Sequence, residues 1–177
     1  MKIIIAYIFG IGAMAALFSI YQQASRKRLI VSKLAADVCW VIHYLCLGAY
    51  GGAIPNFVGI FRELVFVNRE NKKWANLPVW PFIFIITNLL LGLRTFASPI
   101  NLLPILGSAF VTVALWLKKP ILTKMLSFPV STAFLIYDVL VGSWIGVVSE
   151  GISLFSIISA LIKVLKDSKR EKSRYKI

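Results

Sequence analysis

The sequence predicts an all-α transmembrane fold: a seven-helix bundle made of two parallel three-helix repeats joined by a linker helix. Three observations predict it. The 177 residues are 59% hydrophobic and only 15% charged, whereas soluble domains run near 45–50% apolar and about 25% charged. Apolar segments follow one another along the whole chain with short connectors. The chain also resembles itself when shifted by 94 residues.

A helix crosses the roughly 30 Å hydrocarbon core of a bilayer with about 20 apolar residues, fewer where protein packs around it. Seven segments qualify: 3–21, 34–48, 52–67, 79–93, 102–117, 121–142 and 145–165. The connectors leave no room for a soluble domain. Lys2, the apolar run and Ala13-Met14-Ala15 give the first segment some likeness to a signal peptide. Arg26, Lys27, Arg28 and Lys33 follow it, however, and hold its C-terminal end inside, opposite to a signal peptide.

The net charge of +13 has an address in this arrangement. With seven spans, Lys2 and Arg94 fall on one side. Seventeen of the 20 basic residues fall on the other, and Arg62 lies within the third segment. The positive-inside rule then puts the N-terminus outside and the C-terminus in the cytoplasm. The expected partner of the basic face is anionic lipid rather than nucleic acid. The tail, 167–177, adds to that face. Homo-oligomerisation stays open.

The internal repeat is read without a gap. Residues 40–64, WVIHYLCLGAYGGAIPNFVGIFREL, align with 134–158, FLIYDVLVGSWIGVVSEGISLFSII. Ile42, Gly48, Gly52 and Phe61 fall on Ile136, Gly142, Gly146 and Phe155. Ala49/Ser143, Tyr50/Trp144 and Asn56/Glu150 are similar pairs. The shift puts the first segment on the fifth and the third on the seventh. It leaves the fourth as a linker, so the units run 1–73, 74–95 and 96–166. Three plus one plus three makes the triplets parallel, as in transporters with a substrate site between parallel repeats. Chance similarity among apolar helices is the alternative.

CWVIHYLCLGAYGGAIPN at 39–56, GSWIGVVSEG at 142–151 and LLPILGS at 102–108 resemble the bacterial inner-membrane family typified by YgjV. That resemblance implies a multi-span inner-membrane protein with no established activity. The three-one-three layout also resembles the SWEET and PQ-loop carriers of sugars and amino acids. Those carriers imply proline hinges in helices one, two, five and six, and a polar residue flanking substrate in helices three and seven. Pro104 and Pro129 match two hinges, while Gly10 and Ala35 stand at the other two. Asn56 and Glu150 match the polar pair.

An ionisable group inside a span costs free energy, so it reads by default as functional. Asp138 lies six residues before Trp144 and Glu150 six after it. If Trp144 marks a hairpin tip, both sit about 9 Å below it at 1.5 Å per residue. Two facing carboxylates would hold a shared proton or a cation between them. Tyr44 and Asn56 occupy the matching places around Tyr50. Gly146, Ser149 and Ser153 share the Glu150 face, and Gly52, Asn56, Gly59 and Glu63 form a stripe on the third helix. Such stripes line a cavity or pack helices closely. His43, the single histidine, is a candidate for a proton path or a packing residue. Arg62 is expected to snorkel to the cytoplasmic surface. Asp37 is expected to serve the N-terminal dipole of its helix.

Enzyme motifs are missing. Gly151-Ile152-Ser153-Leu154-Phe155 starts like a nucleophile elbow but lacks the closing glycine. Cys39 and Cys46 belong to no redox or zinc motif, and no cofactor or metal signature is found. Pro55, Pro78, Pro81 and Pro99 are expected at or near helix ends or loop edges, where they cost little. Trp74, Trp80, Trp116 and Trp144 are expected as interfacial anchors. The expected function is small-solute transport, with Asn56, Glu150, Tyr44 and Ser153 on the substrate, and Asp138, Glu150 and His43 on a coupling proton. Pro104 and Pro129 would be hinges. The alternative is a non-transporting module that binds lipid or a partner protein.

Overall fold

The computed structural model describes residues 1–20, 26–94, 98–117 and 120–174. Lys118, Lys119 and the last three residues of the tail lie outside the described residues. So do the side chains of Arg26, Lys124 and the basic residues from Lys163 onward.

Seven α-helices follow in order: α1 (Lys2–Ile20), α2 (Arg26–Leu47), α3 (Tyr50–Val67), α4 (Val79–Arg94), α5 (Leu102–Leu117), α6 (Pro120–Val141) and α7 (Trp144–Arg174). Short 3-10 turns cover Lys73–Asn76 and Pro99–Asn101. Among the described residues, three stretches are long and apolar enough to cross a membrane: Lys2–Ser19, Lys27–Leu47 and Pro99–Leu117. Shorter apolar stretches occupy Trp80–Arg94, Met125–Val141 and Trp144–Ser159. Asn56, Arg62 and Glu63 interrupt the apolar run of α3.

Two helices outrun their apolar segments. α2 starts eight residues before position 34, through Arg26, Lys27 and Arg28. Lys and Arg are good helix formers, and hydropathy stops where the apolar run stops. α7 continues through the basic segment to Arg174 as one helix of 31 residues. That length spans about 46 Å, more than the hydrocarbon core.

The α2–α3 and α6–α7 hairpins turn on glycines in the left-handed region, Gly48 at φ 70° and Gly142 at φ 71°. Only a residue without Cβ adopts that conformation cheaply. The Ala49 N–H donates to the Tyr44 carbonyl at 2.9 Å, and the Ser143 N–H donates to the Asp138 carbonyl at 2.9 Å. The two donors are 94 residues apart, and so are the two acceptors.

Packing runs round a closed ring, α1–α2–α3–α5–α6–α7 and back to α1, with α4 laid against α3 and α5. Small residues set the spacing at the hairpin end. Ala13, Ala36, Ala49 and Ala53 pack around the rings of Trp40, Tyr44 and Tyr137. A second core, Ile30, Val58, Val65, Phe66, Ala75 and Phe84, fills the opposite end.

Two proline expectations change. Pro55 is inside α3, not at its end. Its missing N–H deprives the Gly51 carbonyl of a helical partner. Pro104 lies in the first turn of α5 and is buried, where its N–H would have no intrahelical partner in any case. It therefore breaks no bond within that helix. Pro129 is well inside α6 and exposed on its surface.

Among the tryptophans, Trp74 and Trp144 are exposed. Trp80 stacks on Phe84 and donates from Nε1 to the Trp74 carbonyl at 2.7 Å. Trp116 lies under the Arg69 guanidinium, 3.4 Å from carbon to ring centroid.

Candidate functional site

The hairpin turns bring the ends of α2 and α6 together, and polar side chains cross between them. The Tyr44 hydroxyl donates to Asp138 Oδ1 at 2.8 Å, with both residues buried. The Gly52 N–H donates to the Tyr137 hydroxyl at 2.9 Å. This serves the start of α3, where Ala49 offers no capping side chain. The N–H groups at a helix start need such outside partners. On the other side, His43 Nε2 lies 2.9 Å from Ser143 Oγ, just ahead of α7, and His43 Nδ1 lies 2.7 Å from the Ala6 carbonyl of α1. His43 and Tyr137 are themselves 94 residues apart. Each hairpin thus sends one side chain to the start of the other's second helix, and the next residue of each meets the other.

Glycines admit these approaches. A Cβ on Gly52 would stand 2.9 Å from the rings of Tyr44 and Tyr137. One on Gly10 would stand 2.8 Å from His43 Nδ1. One on Gly146 would collide with the Asp138 carboxylate and crowd Ser143 Oγ. Trp40 closes the cluster on α2, stacked on Tyr44 at 5.6 Å and edge-on to His43 at 5.2 Å.

The remaining predicted positions lie further down the bundle. Asn56 is buried and donates its amide to the Gly52 carbonyl of its own helix at 2.7 Å. Glu150 is half-buried, faces the Ser131 hydroxyl, and lies within electrostatic reach of Lys33, Asp138 and Tyr44. Ser153 is half-buried one turn on. The structure therefore joins Tyr44 to Asp138 by a hydrogen bond and packs His43 edge-on against Tyr44, with Glu150 near them. Asn56 bonds to its own helix.

A second polar cluster lies about 15–18 Å from the hairpin tips, counting along α2 and α3. Arg62 is buried and forms a two-pronged pair with Glu63, Nε and Nη2 each 3.0 Å from a carboxylate oxygen. Its Nη1 donates to Thr112 Oγ1 at 3.0 Å and Ser108 Oγ at 3.3 Å on α5. Asp37 Oδ2 lies 3.9 Å from Nη2, and Asp37 Oδ1 pairs with Lys33. Gly59 has no side chain to fill the space beside Asp37 and Arg62. This overturns the expected snorkelling of Arg62 and the terminal-dipole role of Asp37. Both charges are turned inward because each finds partners there, which a buried charge requires.

Ser143, Tyr137 and the Arg62 cluster escaped the sequence reading. For Ser143 the available signal was its pairing with Ala49, a hydroxyl where the other hairpin has none. For Arg62 it was the i,i+4 pair Ser108 and Thr112, which puts two hydroxyls on one face of α5.

The sequence model of a family described as bacterial inner membrane protein, the YgjV family, matches residues 4–168. The chain belongs to this family. It is similar to the inner membrane protein YgjV of Escherichia coli (strain K12), 25% identical over 174 residues, covering 98% of this chain and 88% of the relative. No solved structure matches. As a YgjV-family member with apolar helices throughout, the protein is a multi-pass helical protein of the bacterial inner membrane.

Proposed function

We propose that this YgjV-family protein is a small-solute carrier built from two parallel three-helix repeats around the linker α4. It would have its N-terminus outside and its C-terminus in the cytoplasm. The observation that carries the reading is the Tyr44–Asp138 bond, an ionisable group of one half buried against its counterpart in the other. Ionisable groups in spans concentrate on substrate and proton pathways, and parallel repeats place those pathways at their interface. Further support comes from the repeat itself. α2 and α6 share both boundaries under the shift of 94, and the turn glycines share their φ. The contacts of α3 with α5 and of α1 with α7 exchange under the same shift, while α4 has no counterpart.

In this reading Asn56, Glu150, Tyr44 and Ser153 contact the solute. Asp138, Glu150 and His43 handle a coupling proton. Pro129, which leaves a carbonyl of α6 without its helical partner, is the better placed of the two hinge prolines. The test is flux of a broad metabolite panel into vesicles holding the purified protein, with and without a pH gradient. The expected result is uptake of at least one solute, with Glu150→Gln changing its pH dependence. No flux under either condition sinks the reading.

A second reading is a non-transporting module that binds anionic lipid or a partner protein. The observation favouring it is the basic start of α2, where Lys27 and Arg28 are exposed. Deleting residues 167–177 separates the readings: flux is unchanged in a carrier, whereas lipid or partner binding is lost in the module.

A further inference from the structure

His43 Nδ1 faces the Ala6 carbonyl oxygen, which only accepts. Nδ1 therefore carries the hydrogen, and any change in the imidazole occurs at Nε2, which faces Ser143 Oγ. Ser143 has one hydroxyl hydrogen and two neighbours that can take it. The first is His43 Nε2. The second is Asp138 Oδ2, which is buried without a hydrogen-bond partner and has the Ser143 hydroxyl beside it. Both oxygens occupy the space a Cβ at Gly146 would need, which is why a glycine stands there. Asp138 Oδ1 is already taken by the Tyr44 hydroxyl.

Counting donors leaves two complete arrangements. In one, neutral Asp138 donates from Oδ2 to Ser143 Oγ, and Ser143 donates to neutral His43 at Nε2. In the other, protonated His43 donates from Nε2 to Ser143 Oγ, and Ser143 donates to the Asp138 carboxylate. We infer that His43, Ser143 and Asp138 form a binding site for one exchangeable proton, relayed between α6 and α2 by the Ser143 hydroxyl. The Asp138 Oδ2–H bond breaks and its proton joins Ser143 Oγ. The original Ser143 O–H bond breaks and that proton joins Nε2. One acid becomes a carboxylate and one imidazole an imidazolium, with no atom or electron gained or lost. The inference deepens the proton-linked part of the carrier reading and adds Ser143 to it.

The surroundings are specific. From α1 come the Ala6 carbonyl and Gly10, and from α2 the Trp40 ring and the Tyr44 hydroxyl. α6 adds the Tyr137 hydroxyl, engaged with the Gly52 N–H of α3, and α7 adds Ile145 and Glu150, the latter also near Ser131 and Lys33. The first hairpin has no relay, because Ala49 stands where Ser143 does.

His43 is the only histidine, so imidazole labelling reads one site. The full chain, 15N-labelled at histidine in lipid nanodiscs, is followed by NMR over a pH series. The Asp138 carboxyl band is followed by infrared difference, assigned with Asp138→Asn. The expected wild-type result is a single Nε2 resonance, averaged by fast relay, moving over the interval in which the carboxyl band changes. Ser143→Ala, the residue already used at position 49, should split it into slowly exchanging neutral and protonated resonances. Ser143→Thr should restore the single one. Split resonances in the wild type, a carboxyl band silent over that interval, or a single moving resonance in Ser143→Ala overturns the relay. None of these outcomes depends on the flux assay, so a missing solute and a missing relay are told apart.

Discussion

Tyr44 and Asp138 are joined by a 2.8 Å hydrogen bond, and they occupy the same place in two hairpins 94 residues apart. The bond sits among small residues and aromatic rings, sealed from solvent. Tyr44→Phe removes the donor and leaves a buried carboxylate oxygen unserved, at an expected cost of about 1–3 kcal/mol. Thermal unfolding in detergent measures it. In a double-mutant cycle, Tyr44→Phe with Asp138→Asn should lose less than the sum of the two single changes. Strict additivity would show that the contact contributes nothing.

Arg62 neutralises Glu63 and Asp37 at a depth where water is scarce. Arg62→Met removes the cation and strands Glu63, while Asp37 keeps its Lys33 partner, with an expected loss of about 3–5 kcal/mol. The combined change Arg62→Met, Glu63→Leu should recover much of that loss, since one stranded charge goes with it. Chemical unfolding in mild detergent compares the two. If the double variant is no more stable than the single one, Glu63 is not what Arg62 serves.

The turn glycines make matched predictions. Gly48→Ala and Gly142→Ala each force a Cβ into left-handed backbone, at about 1–2 kcal/mol. The two losses should be alike, because φ is 70° and 71° and nothing lies within 4 Å of either added Cβ. Gly151→Ala, on an open face inside α7, should instead be neutral or slightly stabilising, because glycine weakens a helix interior. Melting temperatures of the three variants decide it.

Arg69 holds the segment after α3 onto α5. Its guanidinium lies over the Trp116 ring, its Nε donates to Asn76 Oδ1 at 2.9 Å, and its Nη1 donates to the Trp116 carbonyl. Trp116→Leu keeps an apolar side chain but loses the ring face, at about 0.5–2 kcal/mol. Limited proteolysis of the 68–78 segment should quicken in that variant. Unchanged cleavage would mean the backbone contact alone holds it.

Much of the architecture was legible in the sequence. Apolar runs located the seven helices, because burial in lipid demands them. Glycine pairs at 48/142 and 52/146 located the hairpins, because left-handed backbone and close approach exclude a side chain. The offset of 94 named Tyr44 and Asp138 as equivalents. It carried no information on their bonding, since helix rotation is set by packing rather than by spacing. Pro55 falls one turn past the start of α3, beyond the first-turn positions where a proline displaces no helical bond, because α3 begins as early as Tyr50.

What the sequence determined by itself was the class of protein, its membrane setting and the places where polar groups enter apolar helices. Each follows from composition and local pattern. Only the tertiary structure decided which of those groups meet. It turned Arg62 inward onto Glu63, Ser108 and Thr112, although a long cationic side chain near a helix end ordinarily reaches for water. It also put Ser143 between His43 and Asp138. Partners on distant helices, Ser108 and Thr112 for Arg62 and His43 for Ser143, complete both arrangements, and no local stretch of the chain contains them.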